Sequence, residues 1–357
     1  MRMTASPKPR LFRLAAANAR SKLAESLYVR TGLDFTRPVQ VYATVNTRCV
    51  ARCRMCDFWR RKPQAELPAG IWVRALRSLR RFAGQFHVQF CAAEPLLKED
   101  IFDILRACDR MGLTAGITTN GLLLNDANVG RIIDANLFNV NISIDSMDES
   151  VHDSIRGVPG LLGKVKANID RLLAARARAG SGLRIVLRPL ICAETVAGAH
   201  RIVEYAAAKG LTGVHFQPIE LWTDETKEMF QVDPDRLARA QQRLIDMKAA
   251  GWPVMNSPDA IRRWTRHFLS QPAANEAPCA SALRNVNIAA GGDVSLCSMC
   301  DSVVGNIRTG DLGAIWRSVR ARQMRRQLVR CTRICNGTAV EKRNWRAYLD
   351  LFRRLAG

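Results

Sequence analysis

Long apolar runs are missing from this 357-residue sequence. No stretch reaches the roughly 18–20 consecutive apolar residues of a membrane-spanning helix. Residues 1–20 also lack the continuous apolar segment of a secretory signal. These absences favour a cytoplasmic protein. The chain contains eleven cysteines, and in a reducing compartment we expect them to remain thiols or to bind metal rather than to form disulfides.

Acidic residues are scarce, because 32 Asp and Glu stand against 54 Lys and Arg, for a net charge of +22. The basic excess is concentrated in residues 1–37 and 317–357. A solvated basic face is the simplest interpretation, and an anionic partner, a phosphorylated substrate or an anionic membrane surface stays open. Aromatic residues make up only 6% and do not interleave with the basic ones, so specific nucleic-acid binding is not expected.

Six short apolar runs alternate with longer amphipathic segments through the first part of the chain. The runs are VQVYATV (39–45), FHVQF (86–90), LTAGITT (113–119), FNVNISID (138–145), LRIVLRPLI (183–191) and GVHFQP (213–218). The amphipathic segments lie at about 68–82, 99–111, 125–135, 160–179 and 195–209. This alternation predicts parallel β/α units with right-handed crossovers. Because six units are too few for an eight-stranded barrel, we expect an α/β fold, either a partial (β/α)6 barrel or a doubly wound sheet.

The later segments indicate a second, smaller domain. VDPDRLARAQQRLIDMKAAG has helix start and stop signals, and NVNIAAGGDVSLC (285–297) predicts a hairpin with a Gly-Gly turn. We expect an N-terminal helix at about 11–29 to pack against the barrel. The predicted divisions are a basic extension (1–38), a barrel core (39–225), a helical connector (226–278), a small α+β domain (279–337) and a basic C-terminal helix (338–357).

Three cysteines, Cys49, Cys53 and Cys56, follow the first apolar run with the spacing Cys-x₃-Cys-x₂-Cys. A structural zinc site needs four ligands, and a disulfide framework needs an even number of cysteines. Three thiols close together suit a metal cluster that must keep one corner free.

Polar side chains follow all six predicted strands. They are Cys49, Glu94, Asn120, Ser143 with Asp145, Cys192, and Gln217 with Glu220. In a parallel barrel these positions meet at the C-terminal face, where barrel active sites are built from the loops that follow the strands. The pattern therefore predicts a site at this face without reference to any motif.

Taken together, these motifs resemble those of radical S-adenosylmethionine (SAM) enzymes with a C-terminal SPASM or "twitch" auxiliary-cluster domain. The resemblance covers about residues 39–337 and is carried by Cys49-x₃-Cys53-x₂-Cys56, AAEP (92–95), SIDSMDESVHDSIRG (143–157), and the later cysteines. It implies a partial TIM-like barrel followed by the small domain. It also implies a 4Fe–4S cluster on the three thiolates, with SAM chelating the open iron and yielding a 5′-deoxyadenosyl radical.

The resemblance further implies SAM contacts. Met55 corresponds to the neighbour of the adenine, Glu94 to the glutamate that holds the SAM amino group, and Arg156 to the arginine that pairs with the SAM carboxylate. The remaining expected contacts are Ala93, Asn120 and Ser143. Ala92 and Ala93 stand where the family has glycines, and alanine disfavours positive φ.

The C-terminal cysteines resemble one auxiliary cluster site. Cys279-x₁₂-Gly292-x₄-Cys297 and Cys331-x₃-Cys335 would supply four ligands for a second 4Fe–4S cluster. Cys300 is left over and could replace a ligand, donate a hydrogen atom or be structural. Cys192, Cys300 and Asp301 are the candidates for hydrogen donor or base, and a solvated turn residue is the simpler interpretation of Asp301.

These features predict a radical SAM oxidoreductase or epimerase acting on a small molecule, such as a sugar or natural-product intermediate. The small-molecule expectation rests on the short segment before the barrel, since peptide-modifying members often carry an N-terminal leader-binding domain. The alternative is a maturase that modifies a peptide or protein. An electron donor such as flavodoxin or ferredoxin is the expected partner. A hypothesis from another class is a zinc-stabilised, basic nucleic-acid-binding protein, which would leave the strand-end polar residues unexplained.

Overall fold

A computed structural model of the chain describes residues 7–62, 64–221, 223–269, 278–333 and 335. Within these ranges no helix combines the length and the apolarity that a bilayer crossing requires. The architecture is α/β, with a central sheet that is mostly parallel and packs against helices. The predicted basic C-terminal helix at 338–357 lies outside the described residues.

The strands are short. They are β1 (Gln40–Ala43), β2 (His87–Phe90), β3 (Thr114–Thr119), β4 (Asn139–Ile142), β5 (Arg184–Leu187), β6 (Leu190–Ile191), β7 (Gly213–Val214), β8 (Gln217–Pro218), β9 (Asn285–Ile288), β10 (Asp293–Ser295) and β11 (Val303–Asn306).

The helices follow most of the strands along the chain. They are α1 (Pro7–Thr31), α2 (Ala69–Ala83), α3 (Ile101–Arg110), α4 (Asp126–Asp134), α5 (Glu149–Arg156), α6 (Leu161–Arg178), α7 (Ala199–Ala208), α8 (Asp224–Phe230), α9 (Pro234–Ala249), α10 (Pro258–Leu269), α11 (Ser281–Arg284), α12 (Leu312–Arg317) and α13 (Val319–Val329).

The six predicted parallel strands are confirmed. The order in the main sheet is β11-β10-β9-β1-β2-β3-β4-β5-β7, and β1 to β5 with β7 run parallel through neighbouring ladders. The runs 183–191 and 213–218 each divide in two, and their second halves, β6 and β8, form a separate parallel pair. In the first of these runs the break falls at Pro189, which has no N–H to donate to a ladder. Of the two folds expected from the sequence, the structure therefore shows the partial barrel.

The sheet has one apolar and one polar face. Residues such as Val41, Val88, Val140 and Ile185 are fully buried in the core with the surrounding helices. Val88 and Val140 have polar neighbours on both sides along their strands, and successive side chains point to opposite faces. The carboxyl ends of the strands and the polar concave face therefore position the candidate site.

The small C-terminal domain is continuous with the barrel sheet, which the sequence analysis did not foresee. Strand β9 pairs with β1 in parallel, Val286 opposite Val41, and β10 and β11 extend the sheet by antiparallel pairing. The hairpin turn is confirmed, with Gly292 at φ 95° and its carbonyl accepting from Ile307 N at 2.9 Å. Burying the open edge of β1 removes its unpaired backbone groups from solvent.

The predicted N-terminal helix is present and packs against the barrel. In α1, Arg20 donates to the carbonyl of Ala83 at the end of α2, at 2.7 Å. Asn18 accepts from Arg284 beside β9 at 3.2 Å. These two arginine contacts join α1 to the end of α2 and to the residue before β9.

Candidate functional site

The loop after β1 holds its three cysteines close together. The Cys56 N–H donates to the carbonyl of Cys53 at 3.2 Å, and Cys49, Cys53 and Cys56 lie within electrostatic reach of one another. Burial raises the pKa of the Cys49 thiol to about 11 and also raises the pKa of Cys56. A buried thiol becomes a thiolate only if positive charge compensates it, and a bound iron–sulfur cluster supplies that charge. The three thiols fit such a cluster.

Helix α5 fixes the backbone of this loop. Arg52 N donates to the carbonyl of Arg156 at 3.1 Å, and Arg54 N donates to that of Ile155 at 2.9 Å. The helix ends at Gly157, whose φ is +64°. A Cβ at Gly157 would lie 2.4 Å from the carbonyl oxygen of Arg52. The close approach of α5 to the cysteine loop therefore depends on this glycine, whose role the sequence analysis missed.

The backbone after β2 is left-handed at two alanines. Ala92 has φ 61° and Ala93 has φ 45°, so the chain keeps the conformation that glycine would favour in spite of its Cβ atoms. A left-handed alanine costs about 1–2 kcal/mol. Such strain persists only where surrounding structure enforces it, and it concentrates at functional sites.

Glu94 connects the ends of β2 and β3. Its buried carboxylate accepts from Thr119 Oγ1 at 2.9 Å, from Asn120 N at 3.0 Å and from Leu96 N at 3.2 Å. Burial raises the pKa of Glu94 to about 7, against the effect of these hydrogen bonds. Binding the SAM amino group would require one of these contacts to be shared, so that role stays a prediction.

Arg156 is paired with a carboxylate of the chain itself. Its Nε and Nη2 donate to Asp145 at 2.5 and 2.8 Å, and the Asp145 side chain is fully buried. Burial alone would lower the pKa of Arg156, but Asp145 and then Cys53 raise it. The resemblance assigned this guanidinium to the SAM carboxylate; the structure shows its pairing with Asp145, and the SAM contact stays a prediction. Its Nη1 lies 4.0 Å from Cys53 Sγ.

Three further predicted SAM contacts lie in the loop or at the ends of neighbouring strands. Asn120 Nδ2 lies 3.9 Å from Cys49 Sγ. The Ser143 N–H donates to the carbonyl of Thr119 at 3.0 Å, which places Ser143 beside the end of β3. Met55 is partly buried against the core. The structure therefore brings these residues to the edge of the sheet that carries the cysteine loop.

Cys192 does not reach an open site. The side chain is fully buried at the end of β6, and its Sγ lies 3.5 Å from Thr195 Oγ1. Because a hydrogen donor must touch the substrate, this geometry argues against the role considered for Cys192. Asp301 is exposed and accepts a long contact of 3.4 Å from Val303 N, which agrees with a solvated turn residue.

A second group of thiols forms in the C-terminal domain. Burial raises the pKa of Cys279, and Cys335, Cys331 and Cys297 raise it further by their charge. Burial also raises the pKa of the exposed Cys300 to about 11, with Cys297 and Cys331 adding to the effect. All five thiols therefore approach one another, and Cys300 belongs to the group rather than standing apart.

The donor atoms that come together in the two groups are cysteine sulfurs. A zinc ion holds its sulfur ligands at about 2.3 Å, whereas a cluster distributes them over several irons. The donor sets fit iron–sulfur clusters, which is the chemistry that the sequence pattern indicated.

The concave face of the sheet is polar, a feature that the sequence analysis missed. Gln89 Nε2 donates to Thr118 Oγ1 at 3.0 Å, and Asn139 Nδ2 donates to Gln89 Oε1 at 3.1 Å. Parallel strands buried on both faces are usually apolar throughout. The alternation of apolar and polar residues in FHVQFC and FNVNIS indicates this polar face.

Known proteins share this organisation. Residues 44–197 match the radical SAM superfamily, and residues 279–337 match an iron–sulfur cluster-binding domain, SPASM. The chain is 23% identical to a PqqA peptide cyclase of Granulibacter bethesdensis over 263 residues, covering 69% of this chain and 68% of that protein. It is 22% identical to a PqqA peptide cyclase of Gluconobacter oxydans, covering 69% of this chain and 71% of that protein.

Solved structures share the fold. SuiB of Streptococcus suis bound to S-adenosylmethionine superposes with a TM-score of 0.64 at 15% identity, covering 84% of this chain and 70% of that one. The enzyme anSMEcpe with bound AdoMet has a TM-score of 0.63 at 13% identity, covering 89% of this chain and 92% of that one. The two matched domains together span more than half of the chain. This chain therefore belongs to the radical SAM superfamily and carries a C-terminal SPASM domain, with a 4Fe–4S cluster, SAM and an auxiliary iron–sulfur cluster as its cofactors.

Proposed function

We propose that this radical SAM enzyme is a maturase that modifies a peptide. The curated relatives are named as cyclases of the peptide PqqA, and SuiB is also known bound to its precursor peptide SuiA. These relatives favour the peptide alternative over the small-molecule substrate that the sequence analysis put first. We place the reaction in the cytoplasm, where the thiols stay reduced and a flavodoxin or ferredoxin supplies electrons.

The observation that carries the proposal is the position of the three-thiol loop, which follows the carboxyl end of β1 in a sheet with one polar face. When bound, the reduced cluster and SAM supply a 5′-deoxyadenosyl radical that removes hydrogen from an unactivated C–H bond. The residues of the chain bind the cluster, order its loop and bind the substrate. Cys49, Cys53 and Cys56 hold the cluster, the Arg156–Asp145 pair orders the loop beside Cys53, and the concave face receives the substrate.

The second thiol group has a distinct role. A cluster with four protein thiolates leaves no iron for SAM, so we assign this cluster to electron transfer or to shaping the pocket. Cys279, Cys297, Cys331 and Cys335 are the proposed ligands, and Cys300 is the additional thiol. The triple variant Cys49→Ala/Cys53→Ala/Cys56→Ala should accordingly keep about four irons per chain, against about eight in the wild type.

The test separates peptide from small-molecule substrates. Reconstituted enzyme is incubated anaerobically with SAM, dithionite and a low-mass extract of the source cells in deuterated water. Mass spectrometry then follows 5′-deoxyadenosine and new product masses. We expect the extract to stimulate 5′-deoxyadenosine formation, and prior digestion of the extract with proteinase K to abolish the stimulation. The triple cysteine variant is the control for background cleavage. Stimulation that survives full digestion would refute the peptide assignment and restore the small-molecule one.

A further inference from the structure

Arg188 stands on the concave face of the sheet, directly after β5. Its strand neighbours Ile185 and Leu187 are fully buried in the core on the opposite face, so the alternation directs Arg188 into the barrel. The Arg188 N–H donates to the carbonyl of Ile142 at 2.8 Å, which fixes its backbone at the carboxyl end of β4. This is the end of the barrel that carries the cysteine loop.

The charge of Arg188 acts across the sheet. Its electrostatic neighbours are Tyr42 on β1 and Cys91 at the end of β2, two strands that lie beyond β3 and β4. Burial lowers the pKa of Arg188 from its usual value, and burial raises the pKa of Cys91 to about 12. The guanidinium therefore lies in a partly desolvated region, and the groups that act on its charge are a tyrosine hydroxyl and a thiol.

Arg188 is half-buried, and it has no acidic partner among the described residues, unlike two other arginines of the core. Arg156 pairs with Asp145 at 2.5 Å, and Arg325 pairs with Asp34 at 2.6 Å. Across the described ranges, no ion pair or side-chain hydrogen bond involves the Arg188 guanidinium. A buried charge without a partner is unfavourable, so a guanidinium held here is suited to an anion that arrives with a ligand.

The geometry favours a carboxylate as that anion. A guanidinium presents a planar fork that pairs with a carboxylate through two parallel hydrogen bonds. A dianionic phosphate would call for further positive charge, and Tyr42 and Cys91 supply none. Neutral polar groups such as Gln89 and Thr118 line the same face, and they would tolerate an uncharged remainder of the substrate.

We propose that Arg188 binds a carboxylate of the substrate inside the barrel, below the cysteine loop. This inference rests on the proposed function, and it adds that the modified segment carries an acidic side chain or a free C-terminus near the reacting carbon. Both sources present the same carboxylate chemistry.

The test uses small probes on the reconstituted enzyme with SAM bound. N-acetylglutamic acid α-amide presents a side-chain carboxylate, N-acetylalanine presents a terminal one, and N-acetylglutamine amide is the neutral isostere. Ligand-observed NMR titration gives their Kd values. We expect at least one carboxylate to bind roughly ten- to a hundredfold more tightly than the isostere, the range of a charge-assisted hydrogen bond. The preferred probe identifies the source.

Arg188→Gln should remove this discrimination, and Arg188→Lys should keep part of it. Arg184→Gln is the matched control on the same face, and it should keep the full discrimination because Arg184 lies over the Phe138 ring at the start of β5. Iron content and the visible spectrum confirm that each variant is folded.

Two results would overturn the inference. One is a wild type that binds carboxylates no better than the isostere. The other is an Arg188→Gln variant that loses SAM affinity while its probe discrimination is unchanged, which would assign Arg188 to the cofactor. The probes are independent of the protease experiment. If peptide stimulation fails while carboxylate binding holds, the substrate is a small carboxylic acid and only the proposed function is wrong.

Discussion

Substituting Gly157 tests whether α5 holds the cysteine loop in place. Gly157 and Gly160 have nearly the same left-handed φ, +64° and +68°, so alanine at either position meets the same backbone penalty of about 1–2 kcal/mol. Only Gly157 faces an obstacle, since its new Cβ would lie 2.4 Å from the Arg52 carbonyl oxygen, whereas nothing lies within 4 Å at Gly160. Relieving such a clash in packed structure costs about 1–3 kcal/mol more.

The assay compares Gly157→Ala with Gly160→Ala as holoenzymes. Anaerobic guanidinium denaturation should show the extra loss of about 1–3 kcal/mol at Gly157 alone. Because the obstacle is the backbone of the cysteine loop, we also expect Gly157→Ala to lose iron and the electron paramagnetic resonance signal of the SAM-binding cluster while keeping the auxiliary cluster. Equal losses of stability and iron in the two variants would show that Gly157 serves only as a helix cap.

Three other predictions concern strain, burial and ligand number. The double variant Ala92→Gly/Ala93→Gly should raise the free energy of unfolding by up to about 2 kcal/mol, because it relieves left-handed strain. The control Ala238→Gly, in the exposed interior of α9, should lower the free energy of unfolding by about 0.5–1 kcal/mol. If the double variant is destabilised like the control, the left-handed backbone at Ala92 and Ala93 is contradicted. Asp145→Asn should cost about 3–5 kcal/mol in denaturation experiments, because it leaves a buried arginine without its partner, and a loss near zero would count against the pair. Cys300→Ala should keep about eight irons per chain, since four thiols remain for the auxiliary cluster, and a fall to about four would make Cys300 a ligand.

The local sequence pattern was sufficient to predict the six strand-containing runs and the first group of thiols. Apolar runs of four to eight residues predict strands because side chains alternate along an extended chain, and all six predicted runs contain the expected strands. The three cysteines at 49–56 share one loop, so their proximity needs no tertiary contact. The polar strand ends meet because parallel strands finish at the same edge.

Contacts between residues that are distant in the sequence could not be predicted from the local pattern. The pairing of Arg156 with Asp145 depends on how α5 returns to the end of β4. The burial of Cys192 depends on the separate β6–β8 pair, which forms where Pro189 interrupts the ladder. A residue's place along a strand predicts its face, but it does not predict which group lies opposite.

By itself, the sequence determined the α/β class, the order of strands and helices, and the thiols available for two clusters, because periodicity and spacing are properties of neighbouring residues. Tertiary structure alone decided that β9 closes the edge of β1, that Cys300 joins the auxiliary thiols, and that Arg188 meets no acidic partner within the part of the chain that the structure describes. Each of these depends on groups far apart in the chain, and only the packing of the whole sheet specifies which of them meet.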